Sequence, residues 1–204
     1  MVIESISDED IKPMLTQINS AAPPPRDETV QDALLGCHMR IRHFTEMACK
    51  LAHAHEADAE QIQRAAAEVH RYFTVALPLH EADENMSLHP RLIRVLGHEK
   101  SATDSIETAL LRKLGGPAAD AMVEQHESID QLVERLVPLC MILRSQPAKL
   151  DELSQELHEI SAALQEIFTA HLALEEKTVF PAMERFLSVD ELAEIRREMR
   201  ERRQ

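Results

Sequence analysis

Aromatic residues and glycine are scarce in this chain. Phe, Trp and Tyr make up 3% of the 204 residues, tryptophan is absent, and glycine occurs only 4 times. β-Sandwiches and β-barrels depend on glycine-containing turns and on strands rich in aromatic and β-branched residues, so this composition argues against both classes. The abundant Ala, Leu, Glu, Gln and Arg favour helices instead. The sequence therefore predicts an all-α protein.

Long apolar runs, a secretion signal and paired cysteines are missing as well. No run of about 18 apolar residues occurs, so we expect no membrane span. The N-terminal segment MVIESISDED is acidic, unlike the basic and then apolar start of a signal peptide. Cys37, Cys49 and Cys140 form no CxxC motif and leave an odd count, which is typical of reduced cysteines. Together these features predict a cytoplasmic protein.

The charge of the chain argues against a nucleic-acid partner. With 22 Lys and Arg against 36 Asp and Glu, the formal net charge is −14, whereas a nucleic-acid interface requires a basic face. One basic cluster near the C-terminus alternates with glutamates, so we expect it to be a solvated helix face. Its members are Arg196, Arg197, Arg200, Arg202 and Arg203.

Prolines and capping residues divide the chain into three parts. The run Pro23-Pro24-Pro25 cannot be helical, so residues 1–26 are predicted to be an N-terminal arm that ends in a stiff connector. Residues 27–187 are predicted to form an up-down-up-down four-helix bundle, because four long helices are joined by short connections. Ser188 and Glu191 form a capping box that begins an extra C-terminal helix over 188–204.

The bounds of the individual helices follow from the same signals. Proline inside a helix removes a hydrogen bond and kinks or ends the helix, and glycine ends helices. The predicted helices cover 27–52 with Asp27 as cap, 57–88 with a kink at Pro78, a shorter helix within 91–113, 117–143 with a disturbance at Pro138, and 148–178 ahead of Pro181.

The pair His-x-x-x-Glu occurs twice, as His80/Glu84 and as His171/Glu175. A chain of this composition contains about one such pair by chance. The surrounding residues therefore have to show whether the two pairs form a site. Positions three, four and seven residues away share a helical face, and around both histidines they are mainly apolar. Both pairs are therefore predicted to point into the core. A buried carboxylate needs a compensating charge; no Lys or Arg lies on either inward stripe, which leaves a metal ion.

The arrangement is also repeated along the chain. Each motif follows a long helix with an inward histidine: His80 lies 42 residues after His38, and His171 lies 45 residues after His126. Two helix pairs thus repeat one pattern, and imidazole with carboxylate ligands suits iron or manganese better than calcium. Ferritin-like diiron bundles use Glu-x-x-His instead, which this chain lacks. The predicted metal ligands are His38, His80, Glu84, His126, His171 and Glu175.

These segments resemble the hemerythrin-like, or HHE cation-binding, domains over about residues 28–187. The matching stretches are CHMRIRHF, YFTVALPLHEADE, EQHESID and AHLALEEKTVFP. The resemblance implies a non-haem diiron centre inside the bundle, with an oxo or hydroxo group between the two irons; manganese or zinc are alternative metals. It assigns His38 and His80 to one iron and His126 and His171 to the other. Glu84 and Glu175 would bridge the two metals.

The resemblance also indicates what the centre binds. Oxygen-carrying hemerythrins have an additional histidine one turn before the ligand on the third helix, where this chain has Met122. An open position on each iron favours binding or sensing of a small ligand, namely dioxygen, nitric oxide or peroxide. Glu81 or a water could complete the coordination, and Asp130 could orient a ligand histidine or bind weakly.

Two other functions remain open at this point. The chain could be a redox enzyme that turns over peroxide or nitric oxide at the same site. It could instead be a metal-responsive interaction module whose terminal helices contact a partner, and a homodimer is possible.

Some neighbouring residues are expected to have structural roles. Glu176 is expected to face solvent or a neighbouring helix, and Tyr72 is expected to pack in the core rather than bond near the site. The remaining histidines are expected to be peripheral: His43, His53, His55, His70, His89, His98 and His158.

Overall fold

The structure is a computed structural model that describes residues 28–95 and 119–204, with side chains from 125 onward in the second range. All regular elements in these two ranges are helices, so the all-α prediction is confirmed for them. None of these helices has the length and apolar character that crossing a membrane requires. Three predicted features lie outside the described residues: the N-terminal arm, the part of the helix within 91–113 that follows residue 95, and the helix start at Pro117.

Helix α1 (Val30–Ala52) ends at the predicted residue but begins with a different cap. The Thr29 hydroxyl accepts a hydrogen bond from the Asp32 backbone N–H at 3.0 Å, and the Asp32 carboxylate accepts one from the Thr29 N–H at 3.0 Å. This reciprocal pair satisfies two backbone donors that the first turn leaves free. Thr29, not Asp27, is therefore the N-cap.

The second long helix is a continuous run of five segments that passes the predicted kink position at Pro78. Pro78 and Pro90 each follow a π-helical segment by two residues. A proline cannot donate a backbone hydrogen bond and its ring clashes with the preceding turn, and a wider turn ahead of it relieves that clash. The helix therefore passes both prolines and the predicted end at Leu88. Its segments are α2 (Ala59–Arg71), a first π-helical segment (Tyr72–Ala76), α3 (Leu77–Ala82), a second π-helical segment (Asp83–Leu88) and α4 (His89–Val95).

The third and fourth long helices, α5 (Ala119–Ser145) and α6 (Leu150–Phe186), also run through prolines. The predicted end of the fourth helix before Pro181 is wrong, because α6 continues to Phe186. Val179, Phe180 and Met183 around this proline are buried, and their burial outweighs the one lost backbone hydrogen bond.

The long helices pack in a ring, α1 against α6, α6 against α5, α5 against α2, and α2 against α1. Two hydrophobic clusters fill the space between them. His38 on α1 falls between Leu34 of one cluster and Ile41 of the other, and Glu175 on α6 falls between Leu172 and Val179 in the same way. The polar centre therefore lies where the two apolar clusters meet.

The C-terminal helix α7 (Val189–Glu201) closes one end of the molecule. It begins with the predicted capping box, in which the Ser188 hydroxyl and the Glu191 carboxylate bond each other's backbone N–H groups. Ile195 and Met199 are buried in the same cluster as Phe180. Apolar contact thus attaches α7 to the ends of α1 and α6.

Arginines of α7 and the residues after it contribute a second attachment. Arg196 is buried and pairs with Glu28. Asp83, 1% exposed, accepts hydrogen bonds from Arg202 at 2.9 Å and from Arg203 at 2.5 Å. The prediction of a solvated basic face is wrong for these three arginines, because carboxylates on other elements pair with them.

Replacing Asp83 with asparagine should destabilise the metal-free protein by about 3 kcal/mol, because it leaves two guanidinium groups facing a buried neutral side chain. Urea denaturation measures this loss. The matched control is Glu201→Gln, since Glu201 forms an exposed pair with Arg197 at 3.8 Å and its loss should change stability by less than about 0.5 kcal/mol. Equal effects of the two substitutions would show that the pairing with Asp83 does not hold α7.

Candidate metal centre

Four buried side chains bring their ligand atoms within 4.8 Å of one another: His38, His80, Glu84 and Glu175. They come from α1, α3, the second π-helical segment and α6, and none is more than 4% exposed. All four belong to the six predicted ligands. Long-range packing of separate helices therefore assembles a set of imidazole and carboxylate donors around one point.

Glu175 links this group to the other two predicted ligands. Its Oε2 lies 3.2 Å from Nε2 of His38, and its Oε1 lies 3.3 Å from Nε2 of His171. The His126 ring stands edge-on to the His171 ring, with their centroids 4.7 Å apart. His126 and His171 thus lie beside the group of four rather than within it, and Glu175 lies between two pairs of imidazoles.

The other pair of imidazoles has its own carboxylate. The rings of His38 and His80 are edge to face with centroids 5.3 Å apart, and Nε2 of His80 lies 3.5 Å from Oε1 of Glu84. Glu84 is in the second π-helical segment. Widened turns of this kind are frequent at functional sites, where they change the direction of a side chain.

The protonation of the buried groups suits a cation. Burial lowers the pKa of His80 to about 3, and the charge of Glu175 opposes that effect only in part. Burial alone would raise the pKa of Glu175, but the facing imidazoles of His171 and His38 hold it well below its ordinary value. At neutral pH the centre therefore offers a neutral His80 and an ionised Glu175, the forms that bind metal ions.

Unsatisfied polar atoms test whether a metal fits here. Nδ1 of His80 has no partner in hydrogen-bonding geometry among the described residues, and the Glu175 carboxylate faces the imidazoles of His38 and His171. A buried carboxylate is costly unless a positive charge compensates it, and coordination of a cation supplies that charge. The nitrogen and oxygen donors present are those that iron, manganese and zinc accept.

Glu176 has a role that the sequence did not reveal. It faces the neighbouring helix α1, where its Oε1 lies 2.9 Å from Nδ1 of His38 and accepts a hydrogen bond from Arg42 at 2.8 Å. A proton on Nδ1 leaves the lone pair on Nε2 directed at Glu175 and the centre. Partners of this kind fix the orientation and tautomer of ligand histidines.

Replacing Glu176 with glutamine should weaken metal binding about 10- to 100-fold, because the amide holds His38 less firmly and no longer favours that tautomer. Competition with a chelator of known affinity measures the change. Glu166→Gln, at an exposed position of the same helix, is the matched control and should bind as the unmodified chain does. An unchanged affinity in the Glu176 variant would contradict the positioning role.

A pocket of about 130 Å³ reaches the centre from one side. His80, Glu84, His126 and His171 line it, whereas His38 and Glu175 do not. The centre is therefore accessible from the side of His126 and His171. The other lining residues are Leu77, Glu81, Asn85, Ile129, Asp130 and Phe168.

The carboxyl groups of Glu81 and Asp130 lie at this pocket, outside the group of four. Burial, together with the nearby charge of Asp130, raises the pKa of Glu81. Asp130 is exposed to solvent and lines the pocket beside Glu81.

The structure also shows where two other residues of the sequence analysis lie. Tyr72 stacks on Phe44 with centroids 4.2 Å apart, which is the expected packing role. His89 was expected to be peripheral but is 1% exposed. His98 lies outside the described residues.

Comparison with known families agrees with this geometry. Residues 117–204 match the hemerythrin HHE cation-binding domain. The match includes His126, His171, Glu175 and α7, and for this part of the chain it confirms the resemblance to the HHE domains. Searches of curated proteins and of solved structures found no significant match. The HHE match and the buried His and Glu group together indicate that the protein binds metal cations.

Proposed function

We propose that this protein is a hemerythrin-like diiron protein that binds or senses a small ligand, namely dioxygen, nitric oxide or peroxide. The observation that carries the proposal is the position of the Glu175 carboxylate. One oxygen faces His38 and the other faces His171, at 3.2 and 3.3 Å. A buried carboxylate shared in this way by two imidazole pairs is suited to bridge two metal ions.

Six residues would hold the metals in an up-down-up-down four-helix bundle. His38 and His80 would bind one ion, and His126 and His171 the other, in agreement with the two close pairs of rings. Glu84 and Glu175 would contact both. Iron would supply reversible binding and redox chemistry toward small oxygen or nitrogen ligands; manganese and zinc accept the same donors.

The pocket supports a ligand of only a few atoms. Its volume of about 130 Å³ is slightly below the ~150 Å³ of a cavity that takes up benzene, so a diatomic or peroxide ligand fits. His80, Glu84, His126 and His171 are on its wall, so a ligand in the pocket reaches the metal centre. Glu81 and Asp130 place carboxyl groups at the same pocket, beside a bound ligand. We place this chemistry in the cytoplasm.

Addition of nitric oxide or azide to protein reconstituted with Fe(II) without oxygen tests this proposal. We expect one ligand per iron pair and a change in the optical spectrum. Repeated consumption of nitric oxide or peroxide would instead favour a redox enzyme. An iron-loaded protein whose spectrum responds to none of these ligands would contradict the ligand-binding proposal.

A further inference from the structure

Two histidines outside the centre form a close pair on the surface. His53 follows the last residue of α1, and His158 lies on α6. Nε2 of His53 is 3.1 Å from Nδ1 of His158, and the ring centroids are 4.7 Å apart. His53 is 15 residues from His38 along α1, which is roughly 22 Å at the rise of an α-helix. The pair is therefore separate from the centre described above.

The spacing of the two nitrogens suits chelation of one ion. Metal–nitrogen bonds to histidine are about 2.0–2.1 Å, so nitrogens 3.1 Å apart subtend about 98° at the metal. That angle lies between the octahedral and tetrahedral values that divalent transition metals adopt. A rotation about χ2, which is soft in histidine, turns both lone pairs toward a common point.

The surroundings of the pair hold it in place and leave it open to solvent. His53 is exposed and His158 is half-buried, while α1 packs along α6 beneath them. The neighbouring His55 is paired with Asp151 at 2.7 Å and provides a second link between the same loop and α6. A pair preformed by two packed elements loses little conformational freedom when it binds an ion.

We propose that His53 and His158 form a second, surface metal site that takes a divalent transition cation of the Zn²⁺, Ni²⁺ or Cu²⁺ class. The imidazole donors select these ions over Mg²⁺ and Ca²⁺, which prefer oxygen ligands. No group of three ligand side chains includes this pair among the described residues, so water completes the coordination. The site does not depend on the function proposed for the buried centre.

Calorimetric titration of the full chain with Zn²⁺ tests the site, with Mg²⁺ as the ion control. The unmodified chain should bind one more Zn²⁺ than His53→Ala or His158→Ala, and His55→Ala, the matched control, should bind as many as the unmodified chain. The difference of one ion should persist even if the buried centre takes no zinc, so the two proposals fail separately. Equal zinc binding by all four proteins would overturn the surface site.

A second measurement covers the case in which a variant folds poorly. In the unmodified chain, Zn²⁺ should shift the imidazole NMR signals of both His53 and His158, whereas Mg²⁺ should not. Absence of any shift at a zinc concentration that saturates the protein would equally overturn the proposal.

Discussion

Replacing Glu175 with glutamine should abolish binding of the two proposed metal ions and leave the metal-free protein folded. Both carboxylate oxygens face imidazoles, one of His38 and one of His171. A glutamine side chain has the same shape but offers one oxygen and no negative charge, so it cannot serve two cations. The two hydrophobic clusters that pack the helices remain intact, which is why we expect the fold to persist.

Metal analysis of the purified variant and circular dichroism measure the two parts of this prediction. Glu166→Gln, exposed on the same helix, serves as control and should keep its full metal content. A Glu175→Gln protein that still holds two ions would contradict the bridging position of this carboxylate. A variant that fails to fold would show that Glu175 acts chiefly in packing.

Acidification should destabilise the metal-free protein strongly between about pH 6.5 and 3. Burial lowers the pKa of His80 from 6.5 to about 3. Between these values the unfolded chain binds a proton that the folded chain does not, so stability falls as the pH falls. Each pKa unit corresponds to about 1.4 kcal/mol, and the shift of His80 therefore represents on the order of 5 kcal/mol.

Protonation of Glu175 also makes the metal-free protein less stable as the pH falls. The pKa of Glu175 in the folded protein is held well below its ordinary value. Glu175 therefore stabilises the folded protein at a pH above its pKa in the unfolded chain, and this stabilisation is lost as the pH falls through its pKa in the folded protein. Urea denaturation of the metal-free protein at pH 7 and pH 4 measures the sum. His80→Gln should reduce the difference between the two pH values, whereas His55→Gln, at an exposed position, should not. An unchanged difference in His80→Gln would contradict the assignment to His80.

Local signals in the sequence predict some helix ends. The capping box of Ser188 with Glu191 depends on residues three apart, which the chain itself places together. The continuation of α6 through Pro181 depends instead on burial against distant residues. Packing of this kind overrides a local helix breaker, and residue spacing does not reveal it.

The candidate metal centre shows the same difference between local signals and long-range packing. Helical periodicity predicts that His80 and Glu84 share one face, and the structure places them 3.5 Å apart. The contact between Glu176 and His38 joins residues that are 138 positions apart, and it depends on how α1 and α6 are rotated against each other. The pairing of Arg203 with Asp83 is equally long-range. The charge pattern along the C-terminal helix shows that arginines alternate with glutamates, but it does not show this contact with another helix.

Metal analysis of protein purified from iron-supplemented cells tests the central claim most directly. The six proposed ligands predict two iron ions per chain, and His38→Ala and His171→Ala variants should each lower that content. Well under one metal ion of any kind per chain in folded, unmodified protein would contradict the proposed dinuclear centre.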